Sequence, residues 1–469
     1  MSESVCMLDE LELEAELEAS ALGEVHFTDA GNAQRLSVIH GDKIRWCSNT
    51  GWHFYNGKLW DRCDDNVVVG LAKDVPTSML EQAAATDKEG LRRKLAEWAI
   101  ESEAASALRA MASLAKSEPG IPITTDDLDA DKMLLNVRNG TLDLREMELL
   151  PHSPSDLITM IAGTDYDPEA TAPTWETFIS SIMLDDEEMV GFLQRFCGYM
   201  LTGHTSEQCF AFLSGGGENG KGVLTETLAA LMGSYASSIS QAAIMVKSGD
   251  TIPHEWAGMR GKRLAYCGEV ETSKTIDSAL VKTLTGEDTM SVRFLRREFF
   301  QMKPVFKLLY SANGKPKVKD NSHGFWRRVR LIPFEATFPK GDPRRDPHLK
   351  DKLRAELPGI LNWCLTGLSQ WRDKGLDEPE RVVNATREYK DNENVVKQFC
   401  DDRTRRIPGH CVPLAKLHDE YIDWAKKNAE KTLSSKILGK ELEALGYTKY
   451  HGRIGKMIQD IALAATEEE

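Results

Sequence analysis

Apolar residues change their rhythm several times along this 469-residue chain, and each change predicts a different kind of element. The acidic opening "LDELELEAELEAS" reads as a disordered, solvated tail or frayed helix over 1–34, with a partner-docking segment as the alternative. From about residue 35, "RWCSNTGWHFYNGKLWDR" places Trp46, Trp52, Phe54, Tyr55 and Trp60 beside Asn and Gly turn residues. That spacing predicts a small antiparallel module, with the aromatics as its core rather than as a platform for stacked bases. Residues 78–117 are rich in Ala, Leu, Glu and Lys and lack Pro, which predicts helix. "SEPGIP" then breaks the pattern, so 35–118 forms one unit, strands plus helices.

Within 119–205, "KMLLNVRNGTLDLREMELLPHSPSD" predicts strand–turn–strand, and "WETFISSIM" and "MVGFLQRFCGYML" predict helices. Between 206 and 395, apolar strands at 209–214, 262–268, 305–312 and 328–334 alternate with helical stretches. That rhythm belongs to a parallel sheet covered by helices. In 396–469, helical "LAKLHDEYIDWAKKN" and "SSKILGKELEALG" precede a hairpin through "YTKYHGRIGKMIQDI". The expected fold class is α/β, with a parallel-sheet core, a mostly helical N-terminal domain and a small C-terminal domain.

Composition narrows the class. Hydrophobic residues make up 41% and charged residues 28%, the balance of a soluble globular protein. Apolar runs fall short of the ~18 residues of a membrane span, so no membrane partner is expected. The acidic N-terminus does not read as a signal peptide. Nine cysteines occur without a CxxC pair, and Cys400, His410 and Cys411 come nearest to a metal spacing without matching one. Unpaired thiols imply a reducing compartment, hence the cytoplasm. The net charge of −15 looks unfavourable for nucleic acid, but eight acids lie within residues 1–24 and three more close the chain. Without those eleven the balance is −4.

The chemistry concentrates at "FLSGGGENGKGV", residues 212–223. A phosphate cradle needs a buried strand, a glycine loop with inward amides, and a helix whose N-terminus attracts anionic oxygens. "CFAFLS" supplies the strand, and Gly215, Gly216, Gly217, Glu218, Asn219 and Gly220 fit the GxxxxG spacing. Lys221, Gly222 and Val223 follow at the helix start. Gly222 is a departure, because a Ser or Thr hydroxyl normally coordinates Mg²⁺ there. Water, distant acids or Thr225 one turn on would have to hold the ion. "KRLAYCGEVE" ends a strand with Glu269 and Glu271, suited to Mg²⁺ or the attacking water, or else merely solvated. "VFKLLYSAN" ends in Asn313, a polar group that could sense the terminal phosphate, and Arg327 and Arg328 precede another apolar strand.

Taken in order, these elements resemble the superfamily-three helicases, and most closely the phage and plasmid primase-helicase family shared with poxvirus-type relatives. "LLNVRNGTLDL", "YDPEATAPTWETFI", "FLQRFCGYMLTGHTSEQ" and "ALVKTLTGEDTMSVRFLRREFFQMKPVFKLLYSANGKP" extend the resemblance over roughly 130–400. It implies an AAA+-like P-loop core that hydrolyses ATP with Mg²⁺ between subunits of a ring, hexameric by expectation, while moving on single-stranded DNA. Lys221 would hold phosphates, Glu269 with Glu271 would manage metal and water, and Asn313 would act as sensor. Arg327 or Arg328 would be the arginine finger. The C-terminal segment looks like a winged helix that could touch duplex DNA.

Residues 290–330 carry eleven basic side chains against Glu298 and Asp320, a balance of +9. A basic hairpin facing a pore would bind backbone phosphates without reading sequence. Arg293, Arg296 and Arg297 are candidates, and Lys282 joins them from a family-like Lys-x-Leu-Thr-Gly-x-Asp stretch; solvated ion pairs are the plainer alternative. About 130 residues precede the resemblance without a primase signature, so a separate primase would serve as partner. The expected function is an ATP-driven DNA helicase for phage, prophage or plasmid replication in the cytoplasm of a bacterial host. The alternatives are a ring ATPase that loads or remodels DNA–protein complexes without unwinding, and a nucleotide-binding DNA scaffold.

Overall fold

The computed structural model describes residues 26–246, 254–268, 274–293, 299–428 and 430–464. Helix α1 (Asp29–His40) starts under the Thr28 hydroxyl, which accepts from the Gly31 amide at 3.1 Å. Strands β1 (Ile44–Cys47), β2 (Gly51–Tyr55) and β3 (Trp60–Cys63) form an antiparallel ribbon. Asn56 makes its second turn, its side-chain oxygen accepting from the amides of Lys58 (2.9 Å) and Leu59 (3.0 Å). Helices α2 (Asp65–Leu71), α3 (Asp74–Ala85), α4 (Glu89–Ser102) and α5 (Ala105–Leu114) cover it, and β4 (Pro122–Ile123) adds in parallel to β1. Trp52 and Trp60 are buried, and the Lys116 ammonium covers the Trp46 ring at 4.1 Å. These rings fill the module rather than offering bare stacking faces.

A meander of β5 (Leu134–Val137), β6 (Gly140–Asp143) and β7 (Glu148–Leu150) leads to helices α6 (Pro173–Ile182) and α7 (Glu187–Leu201). The N-terminus of α6 is capped across the chain: the Glu356 carboxylate accepts from the amides of Thr174 (3.1 Å) and Trp175 (3.0 Å). The end of α7 meets two buried cations. Arg263 donates to the Leu201 carbonyl, and the Lys307 ammonium donates to the carbonyls of Thr202 and His204. Cations there satisfy carbonyls that the helix leaves open and oppose its dipole.

The central sheet contains β8 (Phe210–Ser214), which leads into α8 (Lys221–Met232), then β9 (Ala236–Ser238) and β10 (Leu264–Cys267). After α9 (Ser278–Thr285) comes a two-stranded ribbon, β11 (Met290–Val292) with β12 (Phe300–Met302), then β13 (Lys307–Ala312), α10 (His323–Trp326) and β14 (Val329–Pro333). The five-stranded order is β14-β8-β13-β10-β9, parallel throughout, with Ser214 opposite both Ala312 and Pro333. Side chains alternate faces along β8: Ala211 and Leu213 join one apolar cluster, Phe210 and Phe212 the other. Burial on both faces explains the unbroken apolar run of this strand.

Helices α11 (Leu349–Ala355), α12 (Leu357–Lys374) and α13 (Glu380–Asn392) follow. Helix α12 packs on α7 so closely that a Cβ at Gly367 would strike the Gln194 carbonyl, and one at Gly198 the backbone of Gly367 and Leu368. One apolar cluster therefore runs from Leu135 and Trp175 through Phe196 and Leu213 to Leu361. The last unit joins α14 (Val395–Arg403), β15 (Thr404–Pro413), α15 (Leu414–Lys427), α16 (Ser435–Ala444) and the expected hairpin, β16 (Thr448–Gly452) with β17 (Gly455–Leu463). Its antiparallel order is β15-β17-β16, over a core that includes Phe399, Leu417, Tyr421 and Ile461. The fold is thus mixed α/β, with a parallel sheet flanked by helices. No helix among the described residues is long and apolar enough to cross a membrane.

Candidate active site

Between the carboxyl end of β8 and the start of α8, residues 215–220 turn sharply. Gly217 (φ 98°), Glu218 (φ 46°) and Gly220 (φ 86°) all lie in the left-handed region. At Gly220 a Cβ would also press on Ile182 and Phe178 of α6, so conformation and space both call for glycine. Glu218 accepts its strained backbone because both of its ends are fastened. Its carbonyl accepts from the Phe338 amide (2.7 Å) and its carboxylate pairs with Arg345 (2.9 Å).

Lys221 opens α8 and is only 4% exposed. Its ammonium donates to the Gly215 carbonyl (2.6 Å) and the Asn219 side-chain oxygen (3.0 Å), over the loop's own acceptors. Asn219 in turn donates to the Phe334 carbonyl (3.3 Å), tying the loop to the end of β14. The amides of the first helical turn, from Lys221 through Val223, lack intrahelical acceptors by geometry. A side chain at Gly222 would meet open space, whereas Thr225 is buried with its hydroxyl donating to the Lys221 carbonyl at 2.9 Å.

Asn313 is exposed immediately beyond Ala312, the partner of Ser214, so it stands beside the loop at the same sheet edge. Glu269 and Glu271 lie outside the described residues; β10, which they follow, is separated from β8 by β13. Arg327 and Arg328 precede β14, whose first residue pairs with Phe210 at the amino end of β8. They therefore sit at the edge opposite the glycine loop, about 13 Å away along the strand. Arg327 is exposed and donates to the Gln208 side chain at 2.6 Å. Arg328 donates to the Gly324 carbonyl, and burial followed by repulsion from Arg327 lowers its pKa.

Lys282 on α9 is engaged within the chain, with its ammonium 2.6 Å from the Asp320 carboxylate and 3.1 Å from the Ser322 hydroxyl. Burial pushes the Asp320 carboxyl up, but the hydrogen bonds from Lys282 and Ser322 outweigh it and hold the group down at about 2. Arg293 closes β11 with its guanidinium 4.7 Å from the centre of the Phe299 ring, which is 58% exposed. Arg296 and Arg297 lie outside the described residues.

Two cavities flank the loop. One of about 880 Å³ lies against α6, between Phe178, Val223 and Phe338, with Arg344 and Arg345 at its margin. The other, about 850 Å³, lies beside Gly215 and Gly216 and reaches Lys315, Phe334 and Arg381. Phe178, Phe338 and Arg381 do not stand out in the sequence, and Lys315 entered only as one of the basic residues of 290–330. The paired arginines of "FPKGDPRRDP" are the one local signal, since a Gly-Asp-Pro turn presents them together.

A family described as D5 N terminal like matches residues 33–184, and a family of unknown function, DUF5906, matches residues 213–328. The chain is 27% identical over 325 residues to "Putative helicase L207/L206" of Acanthamoeba polyphaga mimivirus, covering 64% of this chain and 34% of that protein. It is 26% identical over 271 residues to "Putative helicase 022R" of Frog virus 3 (isolate Goorha), covering 54% and 28%. It is 23% identical over 369 residues to "Putative primase C962R" of African swine fever virus (strain Badajoz 1971 Vero-adapted), covering 69% and 36%. The chain thus spans about a third of the length of these relatives, which come from viruses of eukaryotes rather than from phages. Among solved structures, the A form apo structure of the NrS-1 C-terminal region is similar at a TM-score of 0.49 and 13% identity, over 90% of this chain and 96% of that one.

Proposed function

We propose, from its matches to the D5 N terminal like and DUF5906 families and its similarity to viral putative helicases and primases, that the chain is a replicative DNA helicase motor driven by ATP hydrolysis. The observation that carries this reading is the junction of β8, the 215–220 loop and α8. A buried central strand delivers a glycine turn to a helix N-terminus, with Lys221 at its first position. First-turn amides that lack intrahelical acceptors and the positive end of a 12-residue helix would make a cradle for a triphosphate. Lys221 would exchange the Gly215 carbonyl and Asn219 for phosphate oxygens, and Asn313 would meet the terminal phosphate from the neighbouring strand end. This is a P-loop core in the superfamily-three, AAA+-like sense.

Arg327 and Arg328 cannot reach the loop of their own chain from the opposite sheet edge. That supports a finger acting on the adjacent copy in a head-to-tail ring, a hexamer by analogy with similar motors. Arg327, exposed and donating to the Gln208 side-chain oxygen, suits the role better than Arg328. Arg293 at the end of β11, with Arg296 and Arg297 that follow it in sequence, would bind the phosphates of single-stranded DNA. Lys282, held by Asp320, would brace that region rather than contact DNA first. The C-terminal unit reads as a winged helix, with the β16–β17 turn as its wing and duplex DNA as its partner.

Among the described residues no three His, Cys, Asp or Glu side chains converge as a metal site. Mg²⁺ would arrive with the triphosphate, since this ion keeps most of its water and needs only one or two protein carboxylates. Glu269 and Glu271 would supply them. When bound, the ion neutralises phosphate charge; Lys221 and the helix amides orient the nucleotide. DNA-stimulated ATP hydrolysis by the purified protein tests the reading. Lys221→Ala is expected to lower turnover at least ~100-fold, and equal turnover in both proteins would sink it.

A further inference from the structure

Among the described residues, five cations line the two cavities beside the glycine loop: Arg344, Arg345, Lys350, Arg381 and Lys315. Four are committed to carboxylates. Arg344 pairs with Asp342, Arg345 with Glu218, Lys350 with Glu226, and Arg381 with both Asp186 and Glu335. Lys315 makes no ion pair at close range among the described residues; its ammonium lies 5.8 Å from the centre of the Tyr389 ring and interacts at longer range with the Glu393 carboxylate. It is half-buried in the cavity that Gly215 and Gly216 also line, three residues beyond Ala312 and hence past the sheet edge that carries the loop.

The backbone that carries Lys315 is fixed from three sides. The Tyr389 hydroxyl donates to the Pro316 carbonyl, the Lys317 amide donates to the Lys274 carbonyl (3.0 Å), and the Val318 amide donates to the Glu393 carboxylate (2.8 Å). A cation outside ion-pair distance of any carboxylate among the described residues, on an anchored turn, in a cavity shared with a phosphate loop, is placed for an anion. We propose that Lys315 is a catalytic residue acting within its own chain, binding the terminal phosphate of the nucleotide and stabilising its charge during hydrolysis.

This inference rests on the loop being a triphosphate site. In the reaction, water oxygen bonds to the γ-phosphorus and the bond to the β,γ-bridging oxygen breaks. ADP departs with that electron pair, and the protons of water pass to phosphate and solvent. Lys315 transfers no proton; it donates hydrogen bonds to γ-oxygens whose charge is redistributed in the transition state. Because Gly222 contributes no hydroxyl at the metal position, a second ammonium in the cavity beside Gly215 and Gly216 would compensate part of the charge there.

The test compares affinity for a non-hydrolysable ATP analogue with affinity for ADP, by calorimetry, in the full-length protein and in Lys315→Met and Lys315→Arg. Wild type is expected to prefer the analogue. Lys315→Met should reduce that preference about tenfold with ADP binding unchanged, as expected for a lost charge-assisted hydrogen bond. Lys315→Arg should keep the preference within about threefold. Under turnover, the Met variant should lose kcat more than it changes KM. An unchanged preference in Lys315→Met, or the same loss in Met and Arg variants, overturns the assignment. Failure of wild type to hydrolyse ATP would instead sink the proposed function, while the analogue preference would still decide the role of Lys315.

Discussion

Gly222 shows how much one missing side chain can leave intact. The loop needs left-handed backbone at 217, 218 and 220 and a lysine at 221, but at 222 it needs only an amide. Open space beyond Gly222 means that Gly222→Ser should fold normally, within about 0.5 kcal/mol of wild type. Its hydroxyl should lower the Mg²⁺ concentration that half-saturates ATP hydrolysis. Titration of turnover against Mg²⁺ checks this, and unchanged metal dependence would argue that the ion binds away from α8. Asp320 yields a pH prediction. Its folded pKa of about 2 lies below the ordinary 3.8, so its contribution is complete above pH 4 and is lost as pH falls towards 2. Asp320→Asn should therefore be less stable than wild type at pH 7, with a gap that narrows below pH 4. Urea midpoints measured from pH 7 to pH 3 read this out; a constant gap would contradict it.

At the scale of elements, the strand–loop–helix junction was legible because its signals are local. A doubly buried strand must be apolar throughout, and left-handed turns select glycine. The β16–β17 hairpin and the helices of 78–117 were legible for the same reason. The contacts that bring distant segments together were not. The Glu356 cap on α6 spans about 180 residues, and no periodicity announces it. Lys307 counted among the eleven basic residues of 290–330, yet it is buried at the end of α7, so formal charge overstated the basic surface available to DNA. Lys282 likewise turned out to hold Asp320. The α7–α12 contact depends on glycines that look unremarkable in sequence. Gly367→Ala should cost about 1–3 kcal/mol, because its methyl group meets a backbone carbonyl rather than a movable side chain. Denaturant unfolding measures it, and a loss below about 0.5 kcal/mol would mean that the two helices can separate cheaply.

For the whole molecule, the separation of loop and arginines across the sheet is the decisive geometry. Lys221 and Arg327 occupy opposite edges, so a single copy cannot bring both to one phosphate. A head-to-tail assembly could, and each proposed site would then be shared between two chains. Mixing two defective proteins tests this most directly: Lys221→Ala, which lacks the cradle but keeps the finger, and Arg327→Ala, which keeps the cradle. Each alone should show almost no DNA-stimulated ATP hydrolysis. An equal mixture should regain activity, because about a quarter of randomly formed junctions pair an intact loop with an intact arginine. A mixture no more active than the average of its two components would contradict a catalytic site completed by the neighbouring chain.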